Sequence, residues 1–143
     1  MNNYVVGFAF NKDKNKVALI RKNRPEWQDG KLNGIGGHIE NDESPIHAMV
    51  REFQEETGKL TDKSDWDLVC LMKEEDSFAC YVFRSFIDLN NIRTTTDEVV
   101  GIYSIDGCYK ENKLSNLSWL IPLCLDDNDN MSEYTCDIYK IGL

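Results

Sequence analysis

A short helix with two chemically different faces is the feature that most constrains this chain. The segment Pro45–Thr57 follows Ser44, a good N-cap residue, and ends before Gly58, which suits the position after a helix. Proline also suits the first helical position. Four apolar residues at i, i+3, i+4 and i+7 form one stripe: Ile46, Met49, Val50 and Phe53. Because such a stripe must be buried, the sequence predicts a helix packed on a sheet.

The same helix carries a second, acidic face. At 100° per residue, Glu52, Glu55 and Glu56 fall on an arc of roughly 100°. Like charges at these spacings destabilise a helix by about a few tenths of a kcal/mol per pair, so a compensating cation is expected. Mg²⁺ takes oxygen ligands and is commonly held by one or two carboxylates plus substrate phosphates. Many surface helices carry such runs as a solvated face, so the carboxylates alone leave both interpretations open.

Strands and further helices are predicted on both sides of this helix. An apolar hairpin is expected at Tyr4–Phe10 and Val17–Ile20, joined by a polar turn and followed by a loop at Arg24–Gly30. The other predicted strands are Leu32–Ile39, Leu68–Lys73, Phe78–Ile87 and Val99–Ile105, with a short helix at Trp119–Leu125 and either strand or helix at Tyr134–Ile141. This irregular order predicts an α+β fold with a mixed sheet flanked by helices.

The composition is that of one folded domain. The chain has 143 residues, 41% hydrophobic and 29% charged, with no internal repeat or linker, so one domain over residues 1–143 is predicted. Its five cysteines are odd in number, widely spaced and contain no CxxC, which disfavours both a disulfide framework and a zinc site. A reducing compartment is therefore expected.

The charge and the apolar pattern limit the partners. A net charge of −9 disfavours stable binding to nucleic acid or to an anionic membrane. The N-terminus lacks the pattern of a signal peptide, and no apolar run approaches the roughly 20 residues of a membrane span. We expect a cytoplasmic protein whose binding of phosphates requires divalent cations.

A longer motif surrounds the acidic face. From Gly37 to Gly58 the sequence reads GHIENDESPIHAMVREFQEETG. Seven positions match a fixed pattern: Gly37, Glu43, Arg51, Glu52, Glu55, Glu56 and Gly58. This pattern resembles the signature of the Nudix (MutT-like) hydrolases. One position departs from it, because Lys59 stands where the family usually has an aliphatic residue, although Leu60 follows directly.

The resemblance implies an activity and a set of roles. Nudix proteins form an α/β/α sandwich and hydrolyse a pyrophosphate bond in a nucleoside diphosphate linked to a further group, using Mg²⁺ or Mn²⁺. By similarity, Glu55 and Glu56 are metal ligands, and Glu52 is a ligand or the base that activates water. The Gly37 carbonyl is a further ligand by the same similarity. Members often add an acid from a later loop, and Glu98 is either that acid or an ordinary charge before a strand.

The resemblance also assigns a bracing pair and a base contact. Arg51 and Glu43 are expected to pair and to brace the loop against the helix. Asn33 begins an Asn-Gly-Ile-Gly-Gly run similar to the Asn-Gly-x-Gly-Gly pattern of the oxidised-purine nucleoside triphosphatases, in which the asparagine contacts the base. Asn33 is thus either a base contact or a turn asparagine. Further candidate substrate-binding residues in this loop are Gly36, Gly37 and His38.

A second recognition element of those triphosphatases is missing. The positions of their tryptophan and acidic pair, which read 8-oxoguanine, fall on Leu114, Asn116 and Leu117. Recognition by that route is therefore disfavoured. Other residues able to stack on or hydrogen-bond a base are Asn116, Trp119, Trp27 and Tyr103, each of which also suits a packing role.

The leading hypothesis is Mg²⁺-dependent hydrolysis of a nucleoside triphosphate, a dNTP or an oxidised dNTP such as 8-oxo-dGTP, to monophosphate and pyrophosphate. The alternative is a pyrophosphatase for ADP-ribose, NADH or a nucleotide sugar. A non-catalytic Nudix module is less favoured because such relatives usually lose motif glutamates. The charge disfavours an RNA-end hydrolase, and the resemblance admits a homodimer, which is frequent in this family.

Overall fold

Strands account for most of the regular structure in the computed structural model, which describes residues 2–74 and 76–126 and the backbone of 134–137. The strands are β1 Asn2–Phe10, β2 Lys16–Arg21, β3 Leu32–Asn33, β4 Ile35–His38, β5 Asp67–Glu74, β6 Phe78–Phe86, β7 Val99–Ser104 and β8 Tyr134–Asp137. The helices are α1 Pro45–Thr57, α2 Ile105–Cys108 and α3 Leu117–Leu125, with 3₁₀ turns at Glu26–Gln28 and Lys63–Asp65.

The strands form one mixed sheet. Its order is β3-β2-β1-β6-β5-β8, with β4 paired to β1 and β7 paired to β2. The β1–β6 and β5–β8 pairs are parallel, whereas the other strand pairs are antiparallel. This arrangement confirms the predicted α+β fold with a mixed sheet.

The glycine-rich segment after the first loop changes its partner strand midway. Its first strand, β3, pairs with β2, and its second, β4, pairs with β1 where the β1–β2 hairpin has separated. The strand or strand edge predicted over Leu32–Ile39 is confirmed at Leu32–Asn33 and Ile35–His38, but it is interrupted at Gly34. A Cβ on Gly34 would lie 2.7 Å from Val6 Cγ2 and 3.0 Å from the Gly7 carbonyl oxygen, so this close crossing requires glycine.

Helix α1 covers one face of the sheet. Its predicted bounds are confirmed: the Ser44 side chain accepts a hydrogen bond from the His47 amide, and Gly58 takes the left-handed conformation at φ 75°. The predicted stripe faces the sheet, with Met49 and Phe53 fully buried. Two further apolar residues of the stripe, Ile46 and Val50, pack at its margin.

Helix α3 covers the opposite face. It begins two residues earlier than the predicted Trp119–Leu125, and its buried residues are Leu117, Leu120, Ile121 and Cys124. In β1, alternate residues point to the two cores: Val5 and Ala9 towards α1, Val6 and Phe8 towards α3. The sheet therefore lies between two helical layers.

The remaining differences from the sequence analysis are at element ends. Strand β7 ends at Ser104 rather than at Ile105, because the Ser104 hydroxyl accepts from the Gly107 amide and starts α2. Within the predicted strand or helix Tyr134–Ile141, the structure has a strand at Tyr134–Asp137, and the rest lies outside the described residues.

Four of the five cysteines are described with their side chains. Cys70, Cys80, Cys108 and Cys124 are buried, and burial raises the pKa of Cys80 to about 12. These are inert core residues. Across the described part of the chain, none of the helices has the length and apolarity needed to cross a bilayer.

The three-layer packing predicts that truncation of a buried leucine lowers the free energy of unfolding much more than truncation of an exposed one. Leu120 of α3 is 1% exposed and Leu60 is 69% exposed. We expect Leu120→Ala to lower the free energy of unfolding by about 2–5 kcal/mol, because it opens a cavity in the core. Leu60→Ala, the matched control, should change it by less than about 0.5 kcal/mol. Urea denaturation measures both, and equal losses would contradict the packing of α3 on the sheet.

Candidate active site

Two glycines let strand β4 approach both its neighbours closely. Gly37 pairs with Val5 of β1, and a Cβ on Gly37 would lie 2.5 Å from Glu52 Oε1. A Cβ on Gly36 would lie 1.9 Å from the Val5 carbonyl oxygen. Only glycine therefore allows the strand to sit against both β1 and the acidic face of α1. This contact places the backbone at Gly37 beside the Glu52 carboxylate.

Arg51 ties the loop after β4 to α1. Its guanidinium donates to both carboxylate oxygens of Glu43, at 2.7 and 2.8 Å, and to the His38 carbonyl oxygen at 3.0 Å. It also donates to Glu52 at 3.0 Å and to Glu55 at 3.2 Å. The expected Arg51–Glu43 pair is thus present in the structure. The Arg51 hydrogen bonds lower the pKa of Glu43, and the Glu43 bond raises the pKa of Arg51.

Glu56 is the least compensated acid of the helix. Its Oε2 atom is buried and has no hydrogen-bond partner among the described residues. Burial, followed by the nearby charge of Glu52, raises the pKa of Glu56 to about 8, although Lys22 opposes the shift. Burial also raises the pKa of Glu52 against the effect of Arg51. The acidic face predicted from the helical spacing is therefore a partly buried, electrostatically strained cluster.

Glu98 reaches this cluster from another part of the fold. It directly precedes β7, and the pairing of Val99 with Arg21 sets it beside the residues that follow β2. Glu98 is only 7% exposed. It accepts from Lys22 Nζ at 3.0 Å and from the Asn23 amide at 2.7 Å. Its charge also contributes to the raised pKa of Glu56. This environment is not that of an ordinary solvated charge.

Lys22 is a site residue that the sequence analysis missed. It is separated from Glu98 by 76 positions, and no local motif marks it. Only the register of β2 against β7 brings the two residues together.

The donor set suits a hard divalent cation. Among residues 2–74 and 76–126, no three His, Cys, Asp or Glu side chains converge into a metal site. Arg51 binds Glu52 and Glu55, and Lys22 binds Glu98. The acids nevertheless supply oxygen ligands, and Glu56 Oε2 is buried without a hydrogen bond. The residues that would hold a cation are Gly37, Glu52, Glu55, Glu56 and Glu98.

The candidate base contacts lie on β3 and at the start of α3. The Asn33 side-chain oxygen accepts from the Gly34 amide at 2.8 Å, which is the turn role predicted as one alternative. Asn116 stands at the N-terminus of α3 with a buried, unpartnered Oδ1 among the described residues. The Leu114 amide donates to the Leu32 carbonyl at 3.0 Å, so the segment leading to Asn116 runs beside β3.

The other aromatic and imidazole candidates have different surroundings. The His38 ring lies 4.4 Å from the Tyr4 ring, and Tyr4 packs on the core under α3. The His38 ring is thus on the sheet face opposite Glu52, and only its carbonyl reaches Arg51. Tyr103 packs against the same core, whereas Trp27 and Trp119 are exposed. Leu114 and Leu117, at the positions of the missing recognition residues, are buried in the core.

Known proteins share a family domain and a fold with this chain. The chain matches the NUDIX domain family over residues 1–120, and no curated protein sequence gives a significant match. A MutT structure from a study of Aliivibrio salmonicida and Vibrio cholerae superposes with a TM-score of 0.70 at 22% identity, covering 86% of this chain and 96% of that one. The NUDIX domain of Shewanella oneidensis NrtR, complexed with ADP ribose, gives 0.70 at 17% identity, covering 85% and 84%.

A longer relative shares the same domain. A MutT/nudix family protein from Enterococcus faecalis superposes with a TM-score of 0.64 at 19% identity over 72% of this chain, which spans only 43% of that protein. The family match covers most of the sequence, so the chain belongs to the Nudix family. The predicted family, fold and class of enzyme, a Nudix hydrolase, are thereby confirmed.

The hydrogen bonds of Arg51 are expected to stabilise the folded protein more than a surface ion pair does. Arg51→Lys keeps the charge but loses the forked contact with Glu43, so we expect a loss of about 1–3 kcal/mol in unfolding free energy. The matched control is Arg24→Lys, because Arg24 also forms a forked pair, with Asp97, but both partners are more than half exposed. It should cost less than about 1 kcal/mol. Equal losses in urea denaturation would show that Arg51 braces nothing.

Proposed function

We propose that this Nudix domain hydrolyses a nucleoside triphosphate, a dNTP or an oxidised dNTP, to the monophosphate and pyrophosphate with Mg²⁺. The family defines the coarser activity, which is hydrolysis of a pyrophosphate bond in a nucleotide derivative. The observation that carries the proposal is the retained acid cluster of Glu52, Glu55 and Glu56, with Glu98 joined to it through the sheet register. Mn²⁺ is the alternative ion.

The acidic residues have different roles in the proposed reaction. A divalent cation bound to them supplies charge neutralisation for the phosphates and lowers the pKa of water. Glu55 and Glu56 are the proposed ligands, together with Glu98 and the Gly37 carbonyl. Glu52 is either a ligand or the proton acceptor, and burial raises the pKa of its carboxylate, which makes it a stronger base than a solvated glutamate. The ion pair between Arg51 and Glu43 fixes the position of the loop relative to the helix.

Two features favour recognition of a nucleotide base. Asn33 ends β3, and Gly36 and Gly37 lie on β4, where Gly37 packs against Glu52. Asn116 adds an amide oxygen that lacks a hydrogen-bond partner within the described residues, next to the segment that pairs with Leu32. Unpartnered buried amide groups are suited to reading the edge of a base, because a base that pairs with them recovers their desolvation cost.

A second candidate substrate is ADP-ribose or a related dinucleotide. It is favoured by the NUDIX domain of NrtR, which was solved with ADP ribose and superposes as well as the MutT structure does. The cytoplasmic location and the homodimer stay predictions, as do the substrate-binding roles of Gly36, His38 and Trp119.

Product analysis separates these candidates. The purified chain is incubated with dNTPs, 8-oxo-dGTP, ADP-ribose and NADH, with Mg²⁺ or with EDTA, and the products are resolved by ion-exchange chromatography. Metal-dependent release of a monophosphate and pyrophosphate supports the proposal and ranks the bases. Cleavage confined to ADP-ribose or NADH favours the second candidate. Nucleotide binding without any cleavage would indicate a non-catalytic module.

Removing one proposed ligand should abolish turnover without unfolding the protein. We expect Glu55→Gln and Glu56→Gln to lower kcat by several orders of magnitude, because each removes a charged ligand while keeping the shape of the side chain. Glu111→Gln, which removes a carboxylate paired with Arg21 at the surface, is the control. Circular dichroism verifies the fold, and near-wild-type rates in both helix variants would contradict the assignment.

The role of Asn33 is tested by its effect on different bases. If Asn33 contacts the base, Asn33→Ala raises KM unequally across the four dNTPs, because each base presents different groups to the amide. Steady-state kinetics on each dNTP gives the ratios. A uniform change would show that Asn33 only shapes its loop through the bond to the Gly34 amide.

A further inference from the structure

Lys22 is a mostly buried cation paired with Glu98, and its charge also acts on Glu56. Its Nζ lies 3.0 Å from Glu98 Oε1, and both side chains are largely shielded from solvent. The backbone of Lys22 is anchored on both sides, since its amide donates to the Lys31 carbonyl at 2.9 Å and its carbonyl accepts from the Gly30 amide at 2.8 Å. The position of the Lys22 backbone is therefore set by the fold.

The charge of Lys22 acts on both acids. It pairs directly with Glu98, and it is the cation that counters the effects of Glu52 and Glu98 on Glu56. A partly buried lysine is costly unless it is paired, so its retention here requires compensation by these carboxylates. Glu98 in turn needs Lys22. Without that lysine it would be a buried carboxylate held, among the described residues, only by the Asn23 amide.

The two cations of the site differ in how they hold their acids. Arg51 grips Glu43 with a planar fork and also binds the His38 carbonyl, so it is fixed by several bonds. Lys22 makes one contact to Glu98 from a flexible four-carbon stem. The ammonium group can thus leave Glu98 by side-chain rotation, while Arg51 stays in place.

We propose that Lys22 is the counter-ion of Glu98 in the metal-free protein, and that a divalent cation binds the acid cluster in competition with its ammonium group. This inference rests on the proposed function, which assigns Glu98 and Glu56 to a cation. Lys22 is then a positioning residue: it keeps the buried Glu98 carboxylate in place until a cation arrives, at a cost in cation affinity.

The test is Mn²⁺ binding without nucleotide, measured by isothermal titration calorimetry. Lys22→Met removes the charge and keeps most of the stem, so the apparent affinity should rise by roughly tenfold as the repulsion is lost. Lys22→Arg should bind no more tightly than wild type. The control is Lys12→Met, in the turn at the opposite end of β2, about 20 Å away along the strand, and it should leave the affinity unchanged.

A second measurement follows the metal-free protein in EDTA. Lys22→Met should lower the thermal midpoint, because Glu98 loses its partner. In a Glu98→Gln background the same substitution should cost less, giving a coupling between the two sites. This cycle covers the case in which Lys22→Met alone folds poorly, since the double variant removes both charges.

The outcomes separate this inference from the proposed function. Unchanged or weaker Mn²⁺ binding by Lys22→Met, while wild type binds, overturns the competition and leaves the proposed function intact. Absence of Mn²⁺ binding by wild type contradicts both. Additive midpoint losses in the cycle overturn the role of Lys22 as counter-ion.

Discussion

The forked ion pair between Arg51 and Glu43 is the interaction on which the rest of the site depends. Glu43 lies in the loop after β4 and Arg51 lies on α1, so their bond fixes the glycine strand against the helix. Because Arg51 also binds Glu52 and Glu55, one guanidinium both braces the loop and partly neutralises the acids. The close packing of Gly37 on Glu52 is possible only within that arrangement.

Charge compensation then explains the distribution of cations around α1. Arg51 binds Glu52 and Glu55, while the charge of Lys22, which directly follows β2, opposes the raised pKa of Glu56. The net charge of −9 leaves little positive charge for a polyanionic substrate, so divalent cations would supply what the protein lacks. The acid cluster thus lowers the stability of the folded protein but provides oxygen ligands for a cation. The same carboxylates therefore affect both stability and function.

Features that depend on local interactions were predicted correctly, whereas features that depend on packing and strand pairing were not. Helix α1 was predicted to the residue because its caps, proline and apolar stripe are local signals. The break at Gly34 within the strand predicted over Leu32–Ile39 was missed, because it depends on which neighbour each half pairs with. The extension of α3 to Leu117 and the start of α2 at Ile105 were missed because core packing and a single serine cap decide them.

The sequence by itself determined the family, the helix, its acidic face and the identity of the acids within the motif, because these properties depend on residues close together in the chain. Only the tertiary structure decided that Glu98 is buried, that Lys22 pairs with Glu98, and that the His38 ring faces away from the acids. The physical reason is that strand register and sheet face are set by pairing between distant segments, and a shift of one residue reverses which face a side chain occupies.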